Sequence, residues 1–237
     1  MSDPPQLPLP FLYEPSFAAA DFLPAPSNHA ALDWLRRTRD WPDRRLALWG
    51  QAGSGKTHLL HVWSRSIGAT LQEGPSLREL PPVPPGRAVA IDDAGAVPDE
   101  TLLLHLLNAA HEAAVPVLLA ARTPPARWPV RLPDLASRLR AMTAIPIDPP
   151  EESLLRALLA RLLADRQLAV DVDIQDYLLL RLPRSAAALR EAVARLDRAA
   201  LAGGGATRKV AAAVVAGMTD VDADDGTDGG RRPTRGG

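Results

Sequence analysis

The stretch Gly50-Gln51-Ala52-Gly53-Ser54-Gly55-Lys56-Thr57 fits G-x-x-x-x-G-K-[ST] at every fixed position. It follows an apolar run, Arg45–Trp49, and opens a segment of helical periodicity, Thr57–Ile67. A loop that cradles phosphate needs that setting. Its glycines let consecutive backbone N–H groups turn towards an anion, and the helix that follows adds a favourable dipole. In this pattern Lys56 reaches the β- and γ-phosphates of a nucleotide and the Thr57 hydroxyl ligates Mg²⁺. All eight residues are candidate nucleotide ligands, with ATP or ADP and Mg²⁺ as the expected cofactors.

Working outward, Val89-Ala-Ile-Asp92-Asp93 is a short apolar run that ends in two acids, about 35 residues beyond the loop. An acid at the carboxyl end of a buried strand is where a phosphate-loop fold holds its metal, so Asp92 is the candidate Mg²⁺ ligand and Asp93 the candidate that orients a water. The surrounding segments alternate. Helices are expected at Asn28–Arg39 with Ser27 as N-cap, at Asp99–Ala114 with Pro98 at N1, and at Leu132–Leu139. Strands are expected at Ala69–Gln72, Ala88–Ile91, Val117–Ala120 and Ala144–Ile147. This alternation predicts an α/β fold with a parallel sheet covered on both faces.

After Pro149–Pro150 the pattern turns purely helical, with expected helices at Glu151–Arg166, Ile174–Leu182, Ser185–Leu201 and Thr207–Ala216. They form a small helical second domain. From Thr219 the chain is polar, glycine-rich and aperiodic, and reads as a disordered tail, 219–237.

Composition narrows the function. The 237 residues carry 27 Lys+Arg against 28 Asp+Glu, a net charge of -1, so the chain as a whole is no polycation built to coat nucleic acid or anionic lipid. The absence of cysteine rules out disulfides, thiolate metal sites and cysteine nucleophiles. No apolar run reaches the length of a membrane span and the opening residues lack a signal-peptide pattern, so a cytoplasmic protein with no membrane partner is expected. His58, His61, His105 and His111 fall at helical positions without a metal-ligand spacing, and no G-x-S-x-G nucleophile elbow occurs. Twenty of the 24 prolines gather at residues 4–26, at Pro75–Pro85 and between Pro116 and Pro150, where the chain changes direction.

Together these residues resemble the DnaA branch of the AAA+ P-loop ATPases and, within it, the Hda group of short DnaA-related regulators. Gly50–Thr57 matches Walker A, and Ile91-Asp92-Asp93 is similar to the Walker B of that branch. Phe17–Asn28 looks like its lead-in segment, which implies that Phe22 and Leu23 lie against the adenine, with His58 bordering the site just after the loop. Leu132-Pro-Asp-Leu-Ala-Ser-Arg-Leu139 is similar to the segment that carries an arginine finger in that group. The resemblance thus puts a finger acting in trans on Arg138, where spacing alone does not separate it from Arg140. Residues from Glu151 resemble the AAA+ lid.

Gln6-Leu7-Pro8-Leu9-Pro10 resembles the pentapeptide by which replication proteins bind the sliding clamp of DNA polymerase III. A proline-stiffened peptide can insert Leu7 and Leu9 into an apolar groove at small ordering cost while Gln6 hydrogen-bonds at the rim. The implied organisation is a clamp-binding leader at 1–15, an AAA+ domain at 16–148 and a lid at 149–218. The implied partners are the DnaA initiator, the clamp, DNA indirectly through the clamp, and other copies of the chain. The implied function is negative regulation of replication initiation by stimulating DnaA to hydrolyse ATP. A self-assembling, ATP-hydrolysing loader and a pure adaptor are the alternatives. Two positions depart from the family pattern: Ala187 stands where the lid arginine is expected, with Arg184 and Arg190 about a turn away, and Arg122 or Thr123 stands where a polar strand-end group is expected.

Overall fold

The computed structural model describes residues 23–224 apart from residue 82. The candidate clamp peptide Gln6–Pro10, the lead-in residue Phe22 and residues 225–237 of the expected tail lie outside the described residues.

Five strands, β1 (Arg45–Trp49), β2 (Thr70–Glu73), β3 (Val89–Asp92), β4 (Val117–Ala121) and β5 (Thr143–Pro146), form one sheet in the order β2-β3-β4-β1-β5. Every pairing is parallel. Residues of β3 and β4 are buried along their whole length, because a parallel sheet covered on both faces hides both sides of its central strands; continuous apolar runs replace alternation. Helices α1 (His29–Arg36) and α2 (Lys56–Ile67) belong to one face, where Leu46, Leu48, Ala90 and Leu118 meet Leu59, Leu60 and Trp63. Helices α3 (Glu100–Glu112) and α4 (Pro133–Ala141) cover the other, packing Leu103, Leu106, Leu107, Leu135 and Leu139 on Ala47, Ile91 and Leu119.

Helix starts differ from expectation where a side chain found a better partner. Asn28, not Ser27, precedes α1; its Oδ1 accepts from the Ala25 N–H (3.0 Å) and its Nδ2 donates to the Leu23 carbonyl (3.1 Å), which fixes the approach of the chain. Helix α1 ends at Arg36, three residues early, and the chain turns through Thr38–Asp40 to seat Trp41 on Trp63, centroids 5.2 Å apart. Such a stacked pair contributes about 1 kcal/mol beyond burial. At α3 the cap is Asp99, whose carboxylate accepts from Thr101 and Leu102, so Pro98 stands before the cap and not at N1.

The helical C-terminal part comprises α5 (Glu152–Asp165), α6 (Val172–Arg181), α7 (Ala186–Ala199) and α8 (Arg208–Asp224) around Leu159, Leu178, Leu189, Ala192, Val193, Leu196 and Ala211. The Ser185 hydroxyl caps α7 by accepting from Ala188 N–H at 3.1 Å. Helix α8 runs to Asp224, past Thr219 where the sequence predicts a disordered tail to start. No proline or glycine interrupts residues 218–224, and the first glycine after them is Gly226.

Candidate functional site

The phosphate loop is shaped by what surrounds it. Gly50 N–H donates to the Ala121 carbonyl (3.2 Å), and a Cβ on Gly50 would stand 2.3 Å from the Ile147 carbonyl oxygen, so β1, β4 and the end of β5 close around a position only glycine fills. Gly53 (φ 79°) and Gly55 (φ 98°) take the left-handed conformation that lets the loop reverse into α2. Lys56 opens that helix, and its ammonium donates to the Gln51 carbonyl (2.7 Å) and to Ser54 Oγ (3.4 Å). Burial lowers its pKa; the charges of Asp92 and Asp93 oppose that fall and Arg122 adds to it. Arg122 therefore stands at the phosphate end, the strand-end position that the sequence left open between Arg122 and Thr123. Thr57 is exposed at the start of the helix.

Asp92 ends β3 and Asp93 follows it. Asp92 is buried and its Oδ1 accepts the Asp93 N–H (2.9 Å), while Asp93 adopts a left-handed conformation (φ 48°). Sequence reasoning missed a third carboxylate. Glu73 ends β2 in register with Asp92, and partners in register on parallel strands share a face, so both belong to the α2 side. Burial first, then Asp92 and Asp93, raise the pKa of Glu73. Gly74 seals the arrangement: a Cβ there would fall 2.4 Å from the Asp93 carbonyl oxygen. His61 on α2 has its pKa lowered by burial and by Arg65, against the pull of Asp92. Among the described residues no group of three or more His, Asp or Glu is arranged to hold a metal by itself. Asp92 and Thr57 nevertheless suit a cation such as Mg²⁺, which takes one or two protein oxygens and completes its shell with phosphate and water.

Beyond the loop a cleft, open to solvent, lies between core and lid. Leu23, Pro150, Leu154, Leu155 and Leu158 give it apolar walls, Asn28 adds a polar edge, and Gly53, Ser54 and Gly55 form the loop side. His58 and Arg190 line it too, with Arg190 Nη2 3.3 Å from His58 Nδ1. Arg190, not Ala187, is thus the lid arginine that the cleft receives. Ala186 lines the cleft four residues earlier, and helical periodicity from that residue marks Arg190 on the same face. The lid also touches the loop directly, since a Cβ on Gly53 would meet the Ser185 Cβ at 2.4 Å.

Arg138 is not brought to this site. Helix α4 leads into the amino end of β5, and the charge of Arg138 acts on Arg45, the first residue of β1. The phosphate loop leaves the other end of β1, five residues long and so about 13 Å from end to end. Arg140 is exposed on the same helix. The two ends of the sheet thus carry separate chemistries.

No known family's sequence profile matches the chain, and no curated protein sequence matches it. Solved structures do. Domain III of the replication initiation protein DnaA from Thermotoga maritima is similar with a TM-score of 0.68 at 17% identity, over 86% of this chain and 97% of that one. AMPPCP-bound DnaA from Aquifex aeolicus is similar with a TM-score of 0.60 at 14% identity, over 78% and 65% of the two chains. A Thermotoga maritima RuvB variant is similar with a TM-score of 0.59 at 17% identity, over 81% and 67%. The parallel five-stranded sheet between helices, followed by a helical part, is the AAA+ P-loop ATPase fold.

Proposed function

We propose that this chain is a cytoplasmic, nucleotide-binding AAA+ regulator of replication initiation of the Hda type, tethered to the DNA-loaded sliding clamp through Gln6–Pro10 and stimulating DnaA to hydrolyse its ATP. In this reading the chain's own ATP or ADP lies in the cleft, with its base near Phe22, Leu23 and His58 and its phosphates on Gly50–Thr57. Asp92 and Thr57 would hold Mg²⁺, which offsets phosphate charge when bound. Asp93 would orient a water. What supports the regulatory part is that α4, which carries Arg138, leads into the amino end of β5, the far end of the sheet from the chain's own phosphate loop. An arginine so placed is useful to another molecule's nucleotide, and a finger supplied in trans raises phosphoryl transfer by about 10³–10⁵-fold.

A self-assembling loader that hydrolyses ATP is the competing reading. Arg190 favours it, because a cation on the lid side of the cleft supplies part of what autonomous turnover needs. One experiment separates the two: phosphate release from ATP-bound DnaA, with clamp loaded on DNA, in the presence of wild type, Arg138→Ala, or the leader variants Gln6→Ala and Leu7→Ala. The regulator requires stimulation by wild type and its loss in all three variants. Stimulation unchanged by Arg138→Ala removes the finger, and ATP-dependent self-assembly with turnover in the absence of DnaA establishes the loader.

A further inference from the structure

The Asn28 side chain turns the wrong way for a helix cap. Asn28 precedes α1 and is 4% exposed, at a position where asparagine ordinarily accepts a hydrogen bond from the first turn of its helix, yet it makes no such bond. Its amide reaches back along the chain instead. Nδ2 donates to the Leu23 carbonyl (3.1 Å), Oδ1 accepts from the Ala25 N–H (3.0 Å), and the backbone N–H of Asn28 donates to the Ala25 carbonyl (3.0 Å). Residues 23–28 depend on these bonds. Pro24 and Pro26 have no N–H to donate and hold Leu23 and Ala25 extended, so among the described residues the backbone alone closes this turn with a single hydrogen bond. Leu23 and Asn28 both line the cleft, together with Gly53, Ser54 and Gly55 of the phosphate loop. Leu23 also packs against the hydrophobic core of the lid, and the Ser27 carbonyl accepts from the Asp148 N–H (3.1 Å), just ahead of Pro149–Pro150. The turn is therefore anchored at both flanks, and Asn28 is what fixes its shape between them.

We infer that Asn28 is the positioning residue for the base end of the cleft: by holding the Leu23 carbonyl it sets the Leu23 side chain as a fixed apolar face against which the nucleotide base packs. The inference rests on the reading that a nucleotide occupies this cleft. It assigns the affinity of the base end, as distinct from the phosphate end, to a residue outside both the phosphate loop and the lid. A wall set in advance loses little freedom when the base arrives, whereas a loose one gives up part of its binding free energy to ordering.

The test compares ADP with inorganic pyrophosphate, each titrated into the full chain by calorimetry, with circular dichroism as the check on folding. Asn28→Ala is expected to weaken ADP about tenfold and to leave pyrophosphate within about twofold of wild type, because the phosphate loop is untouched. Asn28→Asp keeps the acceptor for the Ala25 N–H and removes the donor to the Leu23 carbonyl. It is expected to weaken ADP as Asn28→Ala does, and it carries the test if Asn28→Ala does not fold. Leu23→Ala lowers ADP affinity by a similar factor. Adding Asn28→Ala to it weakens ADP by no more than about twofold further, since a residue that acts through Leu23 has nothing left to act on. An ADP affinity that Asn28→Asp leaves within about twofold of wild type overturns the inference. So do parallel falls for ADP and pyrophosphate, the mark of a merely structural residue, and a double variant about a hundredfold weaker than wild type, the mark of a direct contact to the base. If wild type binds pyrophosphate as tightly as ADP, the nucleotide reading of the cleft itself fails.

Discussion

The two ends of the sheet are charged in opposite styles. At the carboxyl end Lys56 feels the opposite charges of Asp92 and Asp93 as well as the like charge of Arg122, so cations and anions there answer one another before any ligand arrives. At the amino end Arg45 and Arg138 repel each other across the α3 and α4 face, with only Asp43 in opposition. Shape follows the same division. The carboxyl end is a backbone cradle closed by glycines and roofed by the lid, whereas the amino end offers side chains on helix and strand. A balanced, enclosed end suits a resident ligand, and an unbalanced, open end suits something delivered by another molecule.

That contrast can be broken most forcefully at Lys56. Lys56→Ala is expected to weaken ADP binding about 10²-fold, since a charge-assisted phosphate contact contributes about 3 kcal/mol. Titration calorimetry checks it, and an affinity within about threefold of wild type would deny the cradle its role. Gly53→Ala comes next. A methyl there imposes a left-handed alanine, costing about 1–2 kcal/mol, and meets Ser185, so thermal melts should show a lower midpoint and ADP should bind more weakly. Arg190→Ala removes the lid cation and is expected to reduce ADP affinity about fivefold while leaving the fold intact, measured by calorimetry beside circular dichroism.

The smallest effect is at Glu73. Its raised pKa means that the folded state prefers the protonated acid, so its contribution to stability is full below the ordinary glutamate pKa and is lost as pH rises through the elevated folded value. Glu73→Gln should therefore raise the melting temperature at neutral pH and leave it nearly unchanged at about pH 4. A variant that melts lower at both pH values would remove Glu73 from the carboxylate cluster.

Much of the carboxyl end is legible in the sequence because it is local. The eight-residue loop, the strand before it and the helix after it are contiguous, and Asp92-Asp93 closes an apolar run whose length gives away a buried strand. Glu73 is not legible: it precedes a Gly-Pro turn, and only the β2–β3 register sets it beside Asp92. Arg190 lies one turn from the position that the family pattern assigns, so alignment passes over it although helical periodicity does not. Arg138 and Arg140 have the same chemistry and nearly the same spacing. What distinguishes them is that the charge of Arg138 acts on Arg45, 93 positions away in the chain. Arg45 reads as the polar start of a strand until α3 buries it.

The division of labour between the ends is the central claim, and ADP binding to Arg138→Ala tests it most directly. If Arg138 serves another molecule, calorimetry will return an ADP affinity within about twofold of wild type even though stimulation of DnaA is lost. A weakening of about tenfold or more would place Arg138 in the chain's own nucleotide site and contradict the account.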